Sequence, residues 1–124
     1  MAAPNVLGLS TVTSASALVS ITATATPGTA VLTNAAASGK VYRVCSLYLN
    51  NITSSNVTAS LYYKDASGTN TETLILNAIF IPANTSLVAI DKYSPVNMEE
   101  GDVITATCSV NAAINVLVSY DSMG

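Results

Sequence analysis

The sequence predicts an all-β protein: a single β-sandwich, jelly-roll or immunoglobulin-like, of eight or nine short antiparallel strands over residues 1–124. Three observations predict it. Apolar and polar residues alternate with the period of two that sends successive side chains to opposite faces of a strand. Gly, Pro, Asn, Asp and Ser interrupt that alternation about every eight to twelve residues. No long stretch carries the apolar stripe of an amphipathic helix.

Residues 6–13 alternate weakly, and residues 1–13 read as an extended N-terminal arm or an edge strand. Ala17, Val19, Ile21 and Ala23 then alternate with Leu18, Ser20, Thr22 and Thr24, a half-buried strand closed by Pro27-Gly28. A short strand follows at 29–33, and 34–39 is a loop despite its alanines. Residues 40–50 are apolar on both faces, with Val41, Cys45, Leu47 and Leu49 opposed to Tyr42, Val44, Ser46 and Tyr48. That run reads as a mid-sheet strand, on which Arg43 shares the first face and must reach an edge or a partner. Residues 57–64 read as the next antiparallel strand, and 65–70 as a hairpin loop with Gly68 available for positive φ. Strands at 71–81 and 86–91 follow, and 97–102 is a tight turn with Gly101 in a left-handed position. The last strands run from 103 to 108 and from 114 to 120, the latter with Ile114, Val116, Val118 and Tyr120 on one face.

The comparison with immunoglobulin domains fails in detail. The chain has no Trp for the sandwich core, and Ala106 stands two residues before Cys108, where a tyrosine corner places Tyr.

The chain is long enough for one domain with a modest core. Half its residues are hydrophobic, but only seven are aromatic (six Tyr, one Phe), so a core of small side chains is expected. Charged residues are 9% of the chain, against about 25% in ordinary soluble domains. Ser and Thr together number 30. A surface of hydroxyls, amides and small apolar groups desolvates at low cost, which suits contact with other subunits. The net charge is −3, and the cations are Lys40, Arg43, Lys64 and Lys92. Four scattered cations cannot displace a nucleic acid's condensed counterions or hold an anionic membrane, so neither partner is expected. The start, Met1-Ala2-Ala3-Pro4-Asn5, does not read as a secretory leader, and no run approaches a membrane-spanning length. The sequons at Asn51, Asn56 and Asn84 are therefore expected to be unused.

The chemistry-bearing residues are few, and the reading is of a protein that is not an enzyme, with no catalytic, cofactor or metal residues. There is no His, the commonest general base. Cys45 and Cys108 lack metal-site spacing and lie in strands. They read as small packed side chains kept reduced, with an inter-strand disulfide as the alternative. Arg43 near Cys45 is a weak signal for a lowered thiol pKa. Glu99, Glu100 and Asp102 crowd one turn, where they read as solvated. A glycosidase pair must flank a cleft, and calcium needs six to eight oxygens, so turn formation is the preferred role. Tyr42, Tyr48, Tyr62 and Tyr63 sit on neighbouring strands. They read as core or interface contacts, with stacking on sugar rings as the alternative.

Several segments carry a family resemblance. They are Met1-Ala2-Ala3-Pro4-Asn5-Val6, Ser38-Gly39-Lys40-Val41-Tyr42-Arg43-Val44, Ile81-Pro82-Ala83-Asn84-Thr85-Ser86-Leu87-Val88, Met98-Glu99-Glu100-Gly101-Asp102-Val103-Ile104 and Val116-Leu117-Val118-Ser119-Tyr120. Together they resemble small virion structural proteins of tailed bacteriophages, especially those of cyanobacteria. The resemblance spans most of the chain and implies a component of the virion, with the major capsid protein or other virion subunits as partners. A head decoration (cement) subunit, trimeric at a three-fold lattice point, is the expected role. A neck, tail or fibre subunit, or a carbohydrate-binding module contacting the host surface, is the alternative.

Overall fold

The structure, a computed structural model, describes residues 11–91 and 93–124. Among the described residues nine strands follow one another: β1 (Val12–Ile21), β2 (Thr29–Thr33), β3 (Val41–Asn51), β4 (Val57–Lys64), β5 (Glu72–Ile81), β6 (Ser86–Ile90), β7 (Val96–Met98), β8 (Val103–Cys108) and β9 (Ile114–Met123). They form two sheets. Sheet A has the order β1-β9-β3-β6, with β7 also against β3, and sheet B has the order β2-β8-β4-β5. All pairings are antiparallel.

The pairing β1·β9, β2·β8, β3·β6 and β4·β5 is that of one long hairpin ribbon whose tip is the β4–β5 turn. The ribbon then rolls up, and β9 meets β3 while β8 meets β4. This wrapping is the jelly roll, an eight-stranded double sheet to which β7 adds a short extra strand. It decides between the two sandwich types the sequence left open.

The core lies between the sheets. Ile21 and Val19 of β1, Leu47 and Leu49 of β3, Leu61 of β4, Ile104 of β8 and Val116 and Val118 of β9 point inward, and all but Val19 are fully buried. The core is richer in Leu and Ile than the composition implies. Among the described residues only Ala59, Ala106 and Ala113 are buried alanines, and Phe80 is exposed.

Several expectations need correction. β3 and β4 do not pair with each other, because the Asn51–Asn56 loop carries the chain from sheet A to sheet B. The alternation of β3 is also interrupted. Val44 pairs with Tyr120 and Ser46 with Ser119, so Cys45 is an extra residue in a β-bulge. Beyond it Leu47 and Leu49 face the core; before it Val44 does, while Arg43 is exposed. The bulge thus frees Arg43 from the inward phase that uninterrupted alternation assigns it. Residues 97 and 98, expected within the 97–102 turn, instead join Val96 in β7. Gly101 does hold a left-handed φ of 86°, but in the 65–70 loop that role falls to Asn70 (φ 54°) rather than Gly68. The expected arm at residues 1–10 lies outside the described residues. Residues 12 and 13 belong to β1, and the Thr11 carbonyl accepts a hydrogen bond from the Gly124 N–H.

Leu61 is fully buried between the sheets whereas Leu18 is 74% exposed. Leu61→Ala is expected to lower unfolding free energy by about 2–5 kcal/mol, and Leu18→Ala by no more than about 0.5 kcal/mol, in urea denaturation.

Candidate functional site

The outer face of sheet A is organised in rows that cross the strands. Leu18 is paired with Leu117, Leu117 with Tyr48 and Tyr48 with Val88. These side chains share the outer face and are exposed by 74, 39, 39 and 51% respectively. The result is a continuous apolar row across β1, β9, β3 and β6. On one side runs the row Ser20–Asn115–Asn50–Ser86, in which Ser86 Oγ donates to Asn50 Oδ1 at 3.1 Å. On the other side runs Ser16–Ser119–Ser46. Only the next row, Ser14–Asp121–Arg43–Asn97, carries charge, and there Ser14 Oγ donates to Asp121 Oδ1 at 2.9 Å. A depression of about 290 Å³ lies over the apolar row, lined by Leu18, Tyr48, Asn50, Ser86, Asn115 and Leu117. Its walls offer hydroxyls, amides and hydrocarbon. In β1 and β9 the signal for this row is an apolar residue in the polar phase of the alternation, as with Leu18 between Ser16 and Ser20 and Leu117 between Asn115 and Ser119.

The acidic turn is built differently from its expected solvated state. Asp102 is 3% exposed and Glu100 8%. The Asp102 carboxylate accepts from the Tyr63 hydroxyl at 2.7 Å and from the N–H groups of Ala66 and Glu99, each at 3.0 Å. The Glu100 carboxylate accepts from the Gly39 N–H at 3.0 Å. These acids are drawn inward because the loops they join leave backbone donors that no ladder satisfies. Among the described residues no three His, Cys, Asp or Glu side chains gather as a metal site.

Two asparagines that the sequence did not single out as structural do matching work. Asn34, fully buried, donates its amide to the carbonyls of Lys40 and Met98 and accepts from Ser38 Oγ. Asn51, 1% exposed, donates to the carbonyls of Ser55, Ile81 and Pro82 and accepts from the Thr53 N–H and hydroxyl. Of the other sequon positions, Asn56 Oδ1 accepts from the Ala83 N–H and Asn84 sits in a left-handed turn.

Both cysteines are free. Cys108 is buried in sheet B, with its thiol donating to the Val110 carbonyl. Cys45 is half-buried at the bulge, with its Sγ 3.7 Å from Asp121 Oδ2. Burial raises its pKa, and the Asp121 charge and hydrogen bond raise it further, against a smaller opposing effect of Arg43. Arg43 therefore does not activate it.

The four tyrosines do not share one surface. Tyr42 packs against the core and its ring meets that of Tyr120 at 4.8 Å, tilted by 35°. Tyr63 also packs against the core, Tyr62 lies against Thr107 on sheet B, and Tyr48 alone is exposed, on sheet A. A stacking platform made by all four is not assembled.

The outer face of sheet A thus carries an exposed apolar row between uncharged polar rows, with a charged row beyond them, on a jelly-roll scaffold. No family model matches the chain, and no curated protein or solved structure matches it.

Burial holds the Tyr63 pKa well above its ordinary value, followed by the hydrogen bond to Asp102 and the charges of Asp102, Asp65 and Glu99. The unfolded chain releases that proton near about pH 10 and the folded chain does not, so this contribution to stability is lost as pH rises from about 10 upward. Tyr63→Phe is expected to cost about 1 kcal/mol at neutral pH, because Asp102 keeps its two backbone donors, and to make the alkaline fall in urea midpoint shallower. For Cys45, maleimide labelling of the folded chain is expected to be slower at neutral pH than that of an exposed thiol. Asp121→Asn is expected to speed it by lowering the thiol's pKa.

Proposed function

We propose that this chain is a structural subunit of a tailed-bacteriophage virion, and within it a head decoration (cement) subunit that binds and braces the capsid lattice. The observation that carries the reading is the outer face of sheet A, where an exposed apolar row is bordered by uncharged serine and asparagine rows. Such a face loses little hydration when covered by protein. Interface cores are depleted in charge in the same way. The jelly roll supports the reading, because it is a recurrent fold of viral capsid domains. So does the resemblance of the sequence to small phage structural proteins.

A cement subunit acts by burying surface on neighbouring capsomers, so its copy number follows the shell. Imaging of intact particles, with the chain located by antibody or tag, is expected to show copies on the order of hundreds, spread over the head. A count of about a dozen at one vertex would place the chain in a neck or tail ring instead and overturn the decoration role. Absence from purified particles would overturn the virion reading altogether.

A further inference from the structure

Among the described residues the two sheets have four unpaired edges, and they are not alike. In sheet B, β2 is five residues long with a register shift between Ala30 and Leu32. β5 is broken by shifts opposite Ala59/Leu61 and Leu61/Tyr62, and carries Glu72. At these shifts Ala78 takes a left-handed φ of 48°. In sheet A, the edge beyond β3 is made of the five-residue β6 and the three-residue β7. Bulges, short strands and charges are the devices by which sheet edges avoid pairing with other chains. β1 has none of them. It is ten residues long, its register with β9 is unbroken from Val12 to Ile21, and it contains neither proline nor a charged residue. The first charged residue of the chain is Lys40.

We propose that the free edge of β1 pairs with β1 of a second copy of this chain, antiparallel about a two-fold axis at Leu18. An edge strand presents unpaired N–H and C=O groups, and an identical strand completes them isologously. Because neither strand is charged, no repulsion opposes the match. The side-chain period of two restricts the register to those that keep both outer faces on one side. Of these, only the dyad at Leu18 sets Leu18 against Leu18, with Ser16 opposite Ser20 and Ala15 opposite Ile21. Shifts by two residues leave Leu18 against Ser16 or Ser20. In the dyad the apolar row Leu18–Leu117–Tyr48–Val88 of one copy runs on into that of the other.

The paired length of about 24 Å and a sheet thickness of about 10 Å give a contact of roughly 500 Å² in total. Stable complexes bury about 1,200–2,000 Å². The pair is therefore weak in dilute solution and fills when copies are held close. The contact is independent of where the subunit works, and it joins subunits in pairs alongside any three-fold association.

Disulfide trapping reads a weak contact and its register together. Directly opposed residues of antiparallel strands lie about 4.5–5.5 Å apart at Cα, within disulfide reach. In a Cys45→Ser background and a glutathione redox buffer, Leu18→Cys is expected to cross-link to itself at least about tenfold faster than Ser16→Cys alone. A mixture of Ser16→Cys and Ser20→Cys is expected to approach the Leu18→Cys rate. Equal rates for Leu18→Cys and Ser16→Cys would overturn the register. Without mutation to cysteine, sedimentation at up to about 1 mM is expected to show self-association that Leu18→Lys and Leu18→Glu each weaken by at least about tenfold and that mixing the two restores. A wild-type chain monomeric throughout, or one whose β1 amides are protected from exchange in the monomer by its own residues 1–10, would sink the proposal.

Discussion

A polypeptide that passes from one sheet to another leaves its hydrogen-bonding ladder, and the groups it carries across must find partners elsewhere. In this protein every connection except β4–β5 and β6–β7 makes that passage. The fold therefore depends on side chains that serve as surrogate ladders at the ends of the sandwich. Asn34 ties the β2–β3 loop to β7, and its own backbone exchanges hydrogen bonds with Asp102 and Gly101. Asp102 binds the loop after β4 to the turn before β8. Asn51 joins the β3–β4 loop to the β5–β6 turn. Among the described residues no buried side-chain polar atom lacks a partner. Removing one partner of such a network exposes the others to the full cost of an unmade bond, about 1–3 kcal/mol each.

The division of labour between the two faces of each strand follows from this frame. With the loops fixed by polar contacts, the space between the sheets is left to aliphatic packing, where Leu and Ile fill positions that a Trp or Phe holds in many sandwiches. The outer faces then differ in chemistry. Sheet B covers part of its own outer face: the Glu72 carboxylate reaches across to the Gly28 N–H and the Thr105 hydroxyl, and Thr105 is buried beneath it. Sheet A leaves its apolar row open.

Most of the strands were legible in the sequence because alternation is a local property. What escaped was non-local or depended on a single residue. The jelly-roll order rests on pairings such as Leu18 with Leu117, which no local pattern encodes. One extra residue, Cys45, reversed the phase of the first half of β3 and with it the placement of Arg43. β7, three residues long and preceded by Pro95, is too short for a period to show. Glu100 and Asp102 looked solvated because acids in turns usually are, and their burial depends on donors from Gly39, Tyr63 and Ala66. The apolar row was visible only as four separate residues, since its members lie on four strands.

The burial of Asn51 has a consequence for how the chain can be made. Its side-chain nitrogen is the atom to which an oligosaccharide would be joined in the sequon Asn51-Ile52-Thr53, and that nitrogen donates to three main-chain carbonyls inside the protein. A glycan attached there before folding takes one of the nitrogen's two hydrogens, so that the three carbonyls share a single donor, and the buried side chain leaves it little volume to occupy. Production through a eukaryotic secretory route thus sets glycan transfer in competition with closure of the β3–β4 loop.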